Sequence, residues 1–131
     1  MYRFPLLLRR TLMFDAATCA AAGFLLLIGA GVLDAVLGLP AALLRWSGGV
    51  LLAFAAVLAY VGTRSIVPRE WVGAIIVSNL AWAAASLLLL VSGWVAPTTL
   101  GYAFVIAQAL AVIVLAELEY LGLWNAAEAP A

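Results

Sequence analysis

The sequence predicts an all-α membrane protein: a four-transmembrane-helix bundle with both termini on the cytoplasmic side. Three observations predict it. Four apolar runs are each long enough to cross a bilayer, the connections between them are short and carry proline or glycine, and the arginines gather on one side of the resulting path.

A spanning helix needs about 20 largely apolar residues. The first span is placed at 12–37, a run broken by charge only at Asp15 and Asp34. Gly38-Leu39-Pro40 turns the chain into the second span, 41–62. The polar stretch 63–69, with Pro68, leads to the third span at 70–93. A short turn with Pro97 opens the fourth, 99–121. A proline just before a helix costs little, because its fixed φ suits the first turn and its missing N–H would have no intrahelical partner. These are continuous apolar runs, not the alternating ten-residue segments of a membrane β-barrel.

Composition agrees. Hydrophobic residues make up 69% of the 131 and charged residues 9%, where soluble domains sit near half and a quarter. So small a chain could not bury that much apolar surface in water. The length suits one transmembrane domain, 1–131, and no second.

Arginine placement sets the direction. Arg3, Arg9 and Arg10 precede the first span, Arg64 and Arg69 lie between the second and third, and only Arg45 falls on the other side. This positive-inside bias predicts cytoplasmic termini in a bacterial inner membrane. Trp71 and Trp124 with Tyr60 and Tyr120 mark the inner boundary; Trp46, Trp94 and Tyr102 mark the outer one. Aromatic rings with one polar end favour that layer. Arg9-Arg10 before an apolar run resembles a twin-arginine signal, but Asp15 interrupts the run, which then continues to Leu37, far beyond a signal core.

Helices in lipid associate through close packing and a few hydrogen bonds. Small residues four apart mark faces able to approach closely: Gly49 and Ala53, Ala74 and Ser78, and Ala103, Ala107 and Ala111. The two halves also echo one another. Each has a Leu-rich segment, a glycine-containing turn and a proline, and each ends on Tyr-x-Gly, at Tyr60-Val61-Gly62 and Tyr120-Leu121-Gly122. That pattern predicts parallel repeats about an axis along the membrane normal.

Polar groups inside a bilayer are costly, so each is a candidate for function. Asn79 and Gln108 fall near mid-span, and Trp82 shares the Asn79 face. The expectation is a hydrogen bond between Asn79 and Gln108, or a small binding site formed by Asn79, Trp82 and Gln108. Asp15, Glu117 and Glu119 lie at the membrane face that carries Arg64 and Arg69. They are expected to form a charge cluster there, paired with arginine. Glu117 and Glu119 project about 200° apart, so one must face a neighbour; Glu119, on the Gln108 face, is the candidate for a cation- or proton-linked role.

Other chemistry finds no residues to carry it. The chain has no histidine and no lysine, and its single Cys19 cannot form an internal disulfide or a thiolate metal site. No catalytic set, phosphate loop or metal spacing is present, and no cofactor is predicted. Six arginines balance six acids, which argues against nucleic acid. High alanine and arginine without lysine is the composition of a GC-rich bacterial genome.

With the four spans, the Arg9-Arg10 start, Ser78-Asn79-Leu80-Ala81-Trp82 and the ending Ala116-Glu117-Leu118-Glu119-Tyr120-Leu121-Gly122 in place, the whole chain resembles small bacterial inner-membrane proteins of uncharacterised type. In length and span count it is similar to the DoxX-like four-helix proteins. That resemblance implies respiratory or redox partners and carries over no residues. The functional expectation is an accessory or self-associating subunit whose partners are the bilayer, copies of itself or other membrane subunits. The alternative is binding or transport of a small apolar or amphipathic molecule within the bundle.

Overall fold

The computed structural model describes residues 2–128. Four helices follow in order: α1 (Leu6–Leu37), α2 (Ala41–Thr63), α3 (Arg69–Val91) and α4 (Thr99–Trp124). Each is long and apolar enough to cross a membrane. α1 has 32 residues and begins at Leu6, ahead of the predicted start at 12. Pro5 sets its start: extended at φ −66° and ψ 160°, it precedes the first helical residue.

Both hairpin turns rest on a left-handed glycine, Gly38 at φ 68° and Gly93 at φ 81°. A side chain there would clash with its own backbone, which glycine avoids. Gly38 ends α1 by donating its N–H to the Asp34 carbonyl. Thr98 then ties the second hairpin to the first. Its N–H bonds the Leu37 carbonyl at 3.0 Å, its hydroxyl donates to the Val36 carbonyl at 2.7 Å, and the same oxygen caps α4 by accepting from Gly101 N–H.

The other end carries an element that the sequence patterning does not predict. Three two-residue strands, β1 (Tyr2–Arg3), β2 (Ile66–Val67) and β3 (Ala127–Glu128), form an antiparallel sheet in the order β2-β1-β3. Tyr2 pairs with Val67 and Glu128, and Arg3 with Ile66 and Ala127. The sheet gathers both chain ends and the α2–α3 connection at one end of the bundle. Arg3, Arg9, Arg10, Arg64 and Arg69 therefore share that end, while Arg45 stands at the other.

Packing runs α2, α1, α4, α3: α1 touches both α2 and α4, whereas α2 and α3 scarcely meet. A strict pseudo-two-fold would make the α1–α4 and α2–α3 interfaces equivalent, and they are not. The α1–α2 crossing is a backbone contact between Gly23 and Gly48. A Cβ on Gly48 would lie 2.7 Å from the Gly23 carbonyl oxygen, and one on Gly23 would lie 2.9 Å from that of Gly48. The residue that packs is thus Gly48, one position from the predicted Gly49, which has open space. Ala53, Ala74, Ser78, Ala103, Ala107 and Ala111 are likewise exposed. The small-residue stripes lie on the outside of the bundle.

Two apolar clusters fill the interior. One, at the arginine-rich end, includes Leu8, Leu12, Leu58, Val61, Val72, Ile75 and Leu123; the other, toward the hairpin turns, includes Leu26, Ala30, Leu37, Leu44 and Val105. Trp46 and Trp94 are exposed near the hairpin turns, and Trp71 and Trp124 near the arginine-rich end. The Tyr60 and Trp71 ring centres lie 6.1 Å apart and those of Tyr120 and Trp124 6.2 Å, both pairs tilted.

Candidate functional site: a buried acid pair beside an apolar groove

Two acids are buried between the helices. Asp15 of α1 is 1% exposed, Glu119 of α4 is 0% exposed, and Asn79 of α3 lies between them at 4%. One amide nitrogen holds both: Asn79 Nδ2 donates to Asp15 Oδ2 at 3.0 Å and to Glu119 Oε1 at 2.8 Å. The Cys19 thiol, one turn after Asp15, donates to Asp15 Oδ1 at 3.4 Å. The Glu119 carboxyl faces that of Asp15, and its Oε2 is buried with no hydrogen-bond partner among the described residues.

Helix geometry explains the meeting. The buried face of α3 is Val72, Ile75, Ile76, Asn79 and Ala83, the three-and-four spacing of a packed stripe. Glu119 belongs to the buried stripe Leu115, Ala116, Glu119, Gly122 and Leu123 of α4. Asp15 follows Leu8, Thr11 and Leu12 on the buried face of α1. Because α1 starts at Leu6, Asp15 stands more than two turns inside the helix.

The expected Asn79–Gln108 bond is absent, because Asn79 spends both amide hydrogens on the acids. Gln108 instead pairs with Trp82: the indole Nε1 donates to Gln108 Oε1 at 2.9 Å, and Gln108 Nε2 donates to the Val105 carbonyl at 2.9 Å. Asn79, Trp82 and Gln108 therefore split into two polar units, not one site. Other hydroxyls satisfy themselves locally. Thr11, Ser78 and Ser86 donate to carbonyls one turn back, at Leu7, Ala74 and Trp82.

The expected cluster of Asp15, Glu117, Glu119, Arg64 and Arg69 divides as well. Asp15 and Glu119 go inside, bonded to Asn79 and Cys19 and not to an arginine. Glu117 is exposed beside Tyr120 and Leu121, on the far side of α4 from Glu119. Arg64 is exposed, lying 4.5 Å over the Tyr60 ring and donating to its hydroxyl. Arg69, at the start of α3, is half-buried. Arg9 Nε reaches the Gly62 carbonyl at the end of α2.

Beside the acid pair, a groove of about 680 Å³ opens between α1 and α4. Arg10 stands at its arginine-rich end, Phe14, Ala111, Val114 and Leu118 form its rims, and Asp15 and Cys19 lie in its wall. Its deep end meets Leu51, Trp82 and Gln108. The same three residues, with Ala22, line a smaller cavity of about 100 Å³ in the half of the bundle nearer the hairpin turns, lined by residues of all four helices and the α1–α2 turn. The Trp82–Gln108 pair thus stands where groove and inner cavity join. Among the described residues no group of three or more metal-ligating side chains occurs.

The sequence marks Asn79, Trp82, Gln108, Asp15 and Glu119 as polar candidates, but not Cys19 or the hydrogen bonds that join Asp15, Asn79 and Glu119. The available signal was spacing: Thr11, Asp15 and Cys19 recur every four residues on one face of α1. Compared with known protein families, curated proteins and solved structures, the chain matches none.

Proposed function

We propose that the chain is a multi-pass protein of the bacterial inner membrane that binds a small amphipathic molecule in the groove between α1 and α4. The observation that carries this reading is the groove itself, about 680 Å³ of mostly apolar wall with Asp15 and Cys19 set into it. Ligand sites combine such walls with a few placed polar groups. Its walls suit a tail, and its polar spots at Arg10, Asp15 and the Trp82–Gln108 pair suit a head. The arginine-rich end faces the cytoplasm, by the excess of arginine there.

Exterior placement of Ala103, Ala107 and Ala111 favours a second reading, a self-associating or accessory subunit. The likeness in plan to DoxX-like proteins fits that reading. Native mass spectrometry from nanodiscs separates the two. A monomer carrying one stoichiometric small molecule supports the binding reading. A defined oligomer or mixed complex without a small molecule contradicts it and favours the second.

A further inference from the structure

The geometry points to an organic cation as the head of the ligand: an alkylammonium amphiphile whose charge sits on the Asp15–Glu119 pair in exchange for a proton. This rests on the groove being a binding site and names what enters it.

The pocket is short of positive charge. Two carboxyls share one buried pocket, and the groups that hydrogen-bond them are Asn79 and Cys19, both neutral donors. Every packed element has the same deficit. α1 brings Asp15 and Cys19, α4 brings Glu119, α3 brings Asn79 and Trp82, and α2 brings only apolar side chains such as Leu51 and Leu58. Buried carboxylates that lack a cation are costly, and two side by side repel one another. A proton on the pair removes part of that cost, and a bound cation removes it too.

The second observation is the unpartnered oxygen. Glu119 is fully buried, yet among the described residues no N–H group donates to its Oε2. Buried polar atoms are normally satisfied, so an orphan acceptor beside a second carboxyl marks a place for a donor. The third is access. Asp15 lies in the groove wall, so a head group arriving along the groove meets this acid first. The apolar lining then takes the alkyl chain. Anions are disfavoured by the acids, and a neutral head leaves the charge deficit unchanged.

Arg10 does not reverse the sign. It is exposed at the groove mouth, about 7.5 Å along the helix from Asp15. When the cation binds, an O–H bond of the acid pair breaks and the proton leaves through the groove mouth to water. No other bond changes. Protons and cation compete, so binding tightens as pH rises.

The test uses the full chain in nanodiscs of zwitterionic lipid, with empty nanodiscs as background. Three probes share one alkyl chain: dodecylammonium, dodecanol and dodecyl sulfate. Binding is measured at equilibrium across pH, and proton release is followed with an indicator dye in weak buffer. The expected result is saturable binding of the ammonium alone, tighter at higher pH, with up to about one proton released per cation. Asp15→Asn and Glu119→Gln should each weaken it about tenfold or more. Proton release is read on the unaltered chain, so the inference stays testable if either variant fails to fold. Dodecanol binding as tightly as the ammonium, without proton release, overturns the cation inference and leaves the groove a binding site. No saturable binding of any probe overturns the groove reading with it.

Discussion

The two ends of the bundle are held together by different physics. Toward the hairpin turns the contacts are apolar and backbone-close: Gly23 against Gly48, the Leu26–Leu44 cluster, and a threonine cap that clamps one hairpin onto the other. Toward the arginine-rich end, three helices meet on a buried Asp–Asn–Glu network, closed below by Leu8, Val67 and Leu123 and by the small sheet. Apolar helices packed in lipid gain little from excluding water, and such contacts depend on shape. The polar half depends on donors being matched to acceptors, since an unmatched polar group there is costly. The first arrangement tolerates no added volume at its crossing, and the second tolerates no lost donor.

The largest expected effect follows from the lost donor. Asn79→Leu leaves two buried carboxyls facing each other without the amide that bridges them, at a cost of about 3 kcal/mol. Unfolding in mixed detergent micelles should show the loss. An unchanged midpoint would mean that the network does not hold the helices together.

The crossing at the other end should respond next. Gly48→Ala forces a methyl into the Gly23 backbone and should destabilise by about 1–3 kcal/mol. Gly49→Ala, one residue away in open space, should be nearly neutral in the same assay. Equal effects at the two positions would remove the Gly23–Gly48 crossing from the account.

The smallest effect belongs to the junction between the halves. Trp82→Phe keeps the ring but deprives Gln108 Oε1 of its donor. The expected cost is about 0.6 kcal/mol, and no more than about 2. A larger loss would show that this pair, and not the acid network, holds the polar half.

The four apolar runs, the proline- and glycine-bearing turns and the tryptophan positions could all be read from the sequence, because length and composition alone set them. The small sheet could not. Two-residue strands have no periodicity, and their pairing depends on three distant segments meeting. Asn79 was recognisable as a costly polar residue, but its partners were not, since Asp15 is 64 positions away and depth must be known before pairing can be. Starting α1 at Leu12 put Asp15 at a helix end among arginines. Starting it at Leu6 carries Asp15 inward to Asn79. Small-residue spacing was visible too, but abundant alanine put it on every face, and only the crossing geometry singles out Gly48.

The measurement that bears most directly on the central claim is native mass spectrometry of Ala111→Trp beside the unaltered chain. Ala111 is exposed at the rim of the α1–α4 groove, so an indole there narrows the groove from the α4 side and leaves the Gly23–Gly48 crossing untouched. The account predicts that the small-molecule adduct carried by the unaltered chain disappears from the variant while its unfolding midpoint stays the same. An adduct of the same mass and occupancy on the folded variant would contradict it.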